Sequence, residues 1–218
     1  MKIALFPGSF KPPHSGHLKV VESIMKKYKP DKLYLIISNK PRLLEPPFSR
    51  KLSAFTLGEM EAIAAKYGLE APKSRLKKVI EDAAEKGTIP AVNAETTYKF
   101  WKVYLELLPK KMAEKIKVSI SNQPSPILYS FVIVKNIVKP DDELLLIKAK
   151  KDEGNNRFSM FDNLDCKKEE ILIPTFRDFN SWQMREAMAR HDWKKVKQFL
   201  PQKMDTKQEK YLLELLKK

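Results

Sequence analysis

The sequence predicts an α/β protein built on a doubly wound parallel sheet. Three observations lead there. The apolar run IALF passes through a loop into an amphipathic helical pattern and then a second apolar run, KLYLIIS; strand-like runs recur at 116–120 and 143–149; and helical periodicity fills most of the intervals between them. The 218 residues suffice for one substantial core with an insertion or a small appended unit, and two large domains are not expected.

IALF reads as a short buried strand. After the loop, Leu18, Val21, Ile24, Met25 and Tyr28 recur at helical spacing while Lys19, Glu22, Lys26 and Lys27 face away. Lys29-Pro30-Asp31 stops that helix, and KLYLIIS completes a βαβ unit, right-handed if its strands are parallel. Residues 40–50, KPRLLEPPFSR, are proline-rich and loop-like. Helices follow at about 51–67 (Leu57, Met60, Ile63) and 73–86 (Leu76, Val79, Ile80, Ala83), with no convincing strand between them. A helix over about 95–108 carries Phe100, Trp101, Val103, Tyr104 and neighbouring apolar residues on most of its circumference, as if packed on two sides. IKVSI and ELLLIKA are strands by composition. SPILYSFVIVKNIV fits a strand by its β-branched content or a helix by its length, and helix is preferred because a parallel sheet needs a crossover there. EEILIPTF at 169–176 is the last strand candidate, and the chain is helical from Ser181 onward. The expected organisation is a domain over 1–200 containing a helical insertion at 51–88, then a C-terminal helix at 201–218.

Composition narrows the function classes. No apolar run approaches the roughly 20 residues needed to span a bilayer, and Met1-Lys2 leads directly into IALF without the features of a signal peptide, so a cytoplasmic protein without membrane association is expected. Cys166 is the only cysteine, which excludes an intramolecular disulfide and a multi-thiolate zinc site, and it is expected to be inert. Forty-two basic and 27 acidic residues leave a formal charge of +15, attractive to phosphates, nucleotides or nucleic acid. The lysines are scattered as on solvated helix faces, so a nucleic-acid partner ranks behind small phosphorylated ligands. A homo-oligomer stays open.

The chemistry gathers in FPGSFKPPHSGHLKVVE, residues 6–22, which holds two of the three histidines. In an open parallel sheet ligands bind beyond the carboxyl ends of the strands, where this loop lies. Gly8 and Gly16 permit close backbone approach, and Ser15 is the expected N-cap of a helix whose start favours an anion. His14 and His17 could then converge on one phosphate and donate to oxygens that gain charge during transfer. The alternative is a pair of surface or capping histidines. Neither G-x-x-x-x-G-K-[ST] nor G-x-G-x-x-G occurs, nor H-E-x-x-H or G-x-S-x-G. A two-histidine metal site lacks a nearby third imidazole or thiolate.

GSFKPPHSGHL resembles the H-x-G-H loop of the nucleotidyltransferase superfamily, which has a cytidylyltransferase-like fold and includes nicotinamide-mononucleotide and pantetheine-phosphate adenylyltransferases. FNSWQMR at 179–185 stands where that family has a late I-S-S-T-x-[IL]-R signature. The resemblance covers 1–48 and about 90–200, and it extends through NAETTYKFWKVY, SPI and MREAMARHDWKKVKQFLP to small bacterial and phage relatives. It implies a Rossmann-like sheet and a reaction in which an acceptor phosphate oxygen attacks the α-phosphorus of a nucleoside triphosphate, with Mg²⁺ bridging the phosphates and pyrophosphate leaving. Carried onto this sequence, it assigns His14 and His17 to the triphosphate and its transition state. Gly8, Ser9, Phe10 and Gly16 become loop contacts to the nucleotide, Lys11 lies near the acceptor phosphate, and Ser181 and Arg185 hold the β- and γ-phosphates. Lys151 and Arg157, with Lys150, fall where relatives place phosphate ligands after a strand; Arg42 is a candidate for the acceptor phosphate. Trp101 lines the acceptor pocket or fills the core, and no side chain is assigned to the metal. The sequence departs from the family at Asn180 and Trp182, which replace a serine and a threonine; Trp182 is expected to pack in the core, with stacking on a base as the alternative. ATP is preferred over CTP because the R-T-x-G-I-S-T form of cytidylyltransferases is missing. A noncatalytic nucleotide- or RNA-binding protein is the alternative from another class, and a class I aminoacyl-tRNA synthetase ranks last.

Overall fold

Seven apolar or mixed residues, Lys2–Gly8, form strand β1, and its two faces already separate the protein's two main cores. In the computed structural model, which describes residues 1–174 and 180–217 apart from the side chain of Lys151, β1 leads into helix α1 (Ser15–Lys27) and strand β2 (Lys32–Ile37). The chain then leaves the sheet. A two-residue strand β3 (Arg42–Leu43) pairs antiparallel with β4 (Ala91–Val92), and between them lie helices α2 (Leu57–Lys66) and α3 (Leu76–Glu85). It returns through α4 (Ala94–Glu106), the single turn α5 (Lys110–Ala113), β5 (Ile116–Ile120), α6 (Pro126–Val134), β6 (Glu143–Ala149) and β7 (Lys167–Ile173). Helices α7 (Ser181–Ala189), α8 (Trp193–Gln198) and α9 (Thr206–Lys217) close the described chain.

Strands β5, β2, β1, β6 and β7 lie side by side in that order, all parallel. The chain therefore runs outward from β1 through β2 to β5, then comes back to β6 on the other side of β1. This makes the gap beyond the carboxyl ends of β1 and β6 the topological switch point, where open α/β sheets bind ligands. Strand alternation divides the burial: Ala4, Phe6, Leu33, Leu35, Ile37, Leu145 and Ile147 face a core shared with α1, α4 and α7–α9. Ile3, Leu5, Tyr34, Ile36, Leu144 and Leu146 face a second core that contains Val134 of α6, Phe158 and Phe161. The helical reading of SPILYSFVIVKNIV thus holds, with Pro126 in the first turn and the Ser125 side chain capping Ile127 N.

Three local expectations change. The ladder β3–β4 is two residues deep and has no periodicity to read, so the strand pair at the base of the excursion was missed. Together with α2 and α3 it encloses a separate core of Leu43, Leu52, Phe55, Ile63, Leu76, Ile80 and Ile89. The helix expected from 51 starts at Leu57, because Thr56 accepts from Glu59 N and Glu59 bonds back to Thr56 N. The last strand runs over Lys167–Ile173, earlier than the 169–176 expected, and the final two positions of that range lie outside the described residues. Among the described residues, no helix is long and apolar enough to cross a membrane.

Candidate active site

The loop after β1 is shaped by packing before it can do chemistry. Phe10 takes a left-handed backbone (φ 51°) and turns its ring inward, edge-on to Phe6, His17 and Trp101 at centroid distances of 5.0, 5.2 and 5.7 Å. A Cβ on Gly8 would lie 2.6 Å from Phe10 Cζ, so glycine is required there by the loop's own aromatic ring. Tyr104 of α4 donates its hydroxyl to the Pro13 carbonyl at 3.2 Å, fixing the turn into α1 from beneath. Burial raises the Tyr104 phenol well above its ordinary range, which keeps it a donor. No signal in the sequence distinguishes Tyr104 from its apolar neighbours as a loop support.

The N-cap of α1 is His14, one residue before the Ser15 expected from its hydroxyl. Ser15 is instead the first helical residue, its amide donating to the Phe199 carbonyl at 2.8 Å. The rings of His14 and His17 stack at a centroid distance of 3.8 Å. His14 N–H donates to His17 Nδ1 at 3.2 Å, which places the His17 proton on Nε2 in the neutral ring. Burial holds the His14 imidazole down at about 3, far below the usual histidine value, so it is neutral near pH 7. His14 is therefore an uncharged ring, and the N–H groups of the stacked pair can serve an anion.

The charge comes from three other residues. Lys11 is 1% exposed, and its Nζ donates to the carbonyls of Ser38 and Lys40; burial, aided by Arg42, lowers it to about 7. Arg185 is 5% exposed and donates through Nη1 to the Lys11 carbonyl and through Nη2 to the Phe48 carbonyl; burial and then Arg42 lower it to about 9. Arg42 Nε donates to Ser9 Oγ at 3.1 Å, and burial lowers its guanidinium too. Among the described residues, the bonded partners of all three cations are neutral oxygens. Ser181 Oγ donates to the Pro12 carbonyl at 3.0 Å, so the late helix α7 grips the early loop at two points.

The structure thus brings together Gly8, Ser9, Phe10, Lys11, His14, Gly16, His17, Arg42, Ser181 and Arg185 around one loop. Arg157 reaches the same strand end: its Nη2 donates to the Pro7 carbonyl at 3.3 Å while its Nη1 pairs with Asp152 at 3.0 Å. Lys150 is exposed at the end of β6, and the Lys151 side chain lies outside the described residues. Two aromatic assignments resolve. Trp101 is fully buried against Phe10 and Tyr104, a core residue, although its Nε1 has no hydrogen-bond partner among the described residues. Trp182 does not pack in the core; it is 39% exposed, because the buried residues of α7 begin at Met184. Phe10 spends its side chain in packing and has only its backbone left for a ligand. Among the described residues, no group of three His, Cys, Asp or Glu side chains could hold a metal ion, and three cations face the loop.

The chain is similar to several known proteins. A stretch of 53 residues is 38% identical to a phosphopantetheine adenylyltransferase of Mycoplasma capricolum subsp. capricolum, covering 24% of this chain and 36% of that protein's length. A solved structure, the NadR protein in complex with NR, aligns over 88% of this chain and 41% of its own, with 12% identity and a TM-score of 0.41. The model of the cytidylyltransferase-like family matches residues 5–136, more than half of the chain and all of the β1 loop, and the chain belongs to that family.

Proposed function

We propose that the protein transfers a nucleoside monophosphate, AMP from ATP, to a small phosphorylated acceptor and releases pyrophosphate. The observation that carries this reading is the meeting of the two sequence motifs: Ser181 and Arg185 bond to the carbonyls of Pro12 and Lys11, within the loop that presents His14 and His17. An arginine and a pair of imidazole N–H donors at one glycine-opened helix start suit phosphoryl-type chemistry.

An acceptor phosphate oxygen forms the new bond to the α-phosphorus, and the bond from that phosphorus to the bridging oxygen of pyrophosphate breaks. The nucleophile is already ionised, so no proton has to be taken from it, and catalysis reduces to positioning and charge stabilisation. His17 donates from Nε2, its other nitrogen being occupied by His14 N–H. His14 stands beside it as a second neutral donor. Arg185 takes β- and γ-phosphate oxygens with its planar fork, and Lys11 and Arg42 offset the charge on the acceptor side. Ser9, through its bond with Arg42, orients that guanidinium. Any Mg²⁺ enters as part of the metal–triphosphate substrate, and no step here depends on a protein-held ion.

The test is pyrophosphate release with ATP, CTP and the other triphosphates against a panel of phosphorylated acceptors, wild type beside His17→Ala. Turnover with one pair and its loss in His17→Ala supports the reading. No turnover with any pair, together with salt-sensitive RNA binding, defeats it in favour of a noncatalytic binder; undiminished turnover in His17→Ala removes the loop from the reaction.

A further inference from the structure

The proposed reaction requires phosphate groups to touch Lys11, His14 and Arg185, yet these residues are only 1%, 5% and 5% exposed. Something must move before a triphosphate reaches them. The strands β1 and β2 cannot, since each is hydrogen-bonded to parallel neighbours on both sides. The excursion between β2 and α4 is different: its helices α2 and α3 have their own apolar core. It meets the β1 loop and α7 through polar links, while Leu44 packs against the main core behind them. Lys11 Nζ holds the Lys40 carbonyl, Arg185 Nη2 holds the Phe48 carbonyl, and Arg42 Nε holds Ser9 Oγ at 3.1 Å. Lys40 in turn pairs with Glu81 of α3 at 3.0 Å, coupling the loop to the helices behind it.

Each link is a basic side chain spending hydrogen bonds on a neutral oxygen. A bond from a charged donor to a neutral oxygen is already charge-assisted, but a phosphate acceptor adds the attraction between opposite charges and can take two N–H groups of a guanidinium at once. A phosphate that arrives at the seam therefore competes well against a carbonyl for the same donor. The seam is also incompletely satisfied, because Asn39 Oδ1 is buried there with no hydrogen-bond partner among the described residues.

We propose that residues 39–50, with α2 and α3 behind them, form a gate held shut by Lys11, Arg42 and Arg185, and that phosphate groups of the incoming nucleotide open it by taking over those donors. The proposal rests on the nucleotidyl-transfer reading. It reverses the usual lid, since ligand loosens the covering segment. It also favours ligands with several phosphates, because the donors that must be relieved sit on separate elements, β3, α7 and the β1 loop.

Hydrogen–deuterium exchange on the whole chain tests it, with and without inorganic pyrophosphate, the ionic strength matched with sodium chloride and binding followed by calorimetry. Bound pyrophosphate is expected to speed exchange of amides in 39–50 on the order of tenfold while slowing those at the start of α1. Arg185→Gln and, independently, Lys11→Gln are expected to speed the same amides without ligand, so that misfolding of one variant leaves the other. Bound pyrophosphate with unchanged or slower exchange in 39–50 overturns the gate and leaves the nucleotidyl-transfer reading standing. Failure of pyrophosphate to bind overturns the gate, and if no triphosphate is turned over either, it overturns the reading beneath it.

Discussion

Gly8 and His14 show how single residues of the β1 loop tie stability to the site. The Cβ of Gly8→Ala would press on a Phe10 ring already wedged among Phe6, His17 and Trp101, so the ring has nowhere to go. The variant is expected to lose about 1–3 kcal/mol of stability, measured by urea unfolding, and to lose activity with it because Phe10 sets the position of the His17 ring. His14 links folding to pH. With its folded-state value near 3 and its unfolded value near 6.5, the unfolded chain binds the extra proton between those limits, so stability rises with pH across that window. Lys11 acts with the same sign between about 7 and 10.5. Urea midpoints taken from pH 4 to pH 6.5 are expected to climb, and His14→Gln to flatten the climb. His17→Ala is expected to lower kcat about 100- to 1,000-fold with a smaller change in KM, as for loss of one oxyanion donor. The histidines stood out because two of three fall in one loop, and Arg185 was legible only through the resemblance to the family's late signature. The burial of Lys11 and Arg185 was not, since the oxygens that receive their protons come from positions 27 to 174 residues away.

At the scale of elements, α4 connects the core to the loop. Its N-cap Asn93 accepts from Thr96 N at 2.8 Å, and its inner face carries Trp101 and Tyr104 beneath the β1 turn. Asn93→Ala is expected to cost about 1 kcal/mol by chemical unfolding. Tyr104→Phe, which strands the Pro13 carbonyl, is expected to cost about 1–2 kcal/mol and to reduce kcat by loosening the turn. Four strands of the main sheet could be read from sequence because their apolar or alternating runs are long enough to show a pattern, whereas β7 opens on Lys-Lys-Glu-Glu and was placed two residues late. The β3–β4 pair could not, because two residues show none. Trp182 was misjudged for a related reason: residue type favoured the core, whereas the orientation of α7 is set by Met184, Ala187 and Met188 filling the interior.

For the whole molecule, the formal charge of +15 acts as a field around the candidate site, and it favours the anionic substrates of the proposed reaction. Between about 50 and 500 mM salt, KM for the triphosphate is expected to rise several-fold with little change in kcat, since screening weakens capture more than a buried transition state. A longer-range consequence follows from the grip of α7 on the loop. Arg185 and Ser181 bond to main-chain carbonyls, so the join does not depend on which side chains stand at positions 11 and 12. It does depend on the order of synthesis. A ribosome exposes the histidine loop first and its counterpart only when most of the chain has emerged, so a product cut short before residue 181 carries the loop without the Ser181 and Arg185 bonds to it, and under the proposed reaction is expected to be inactive.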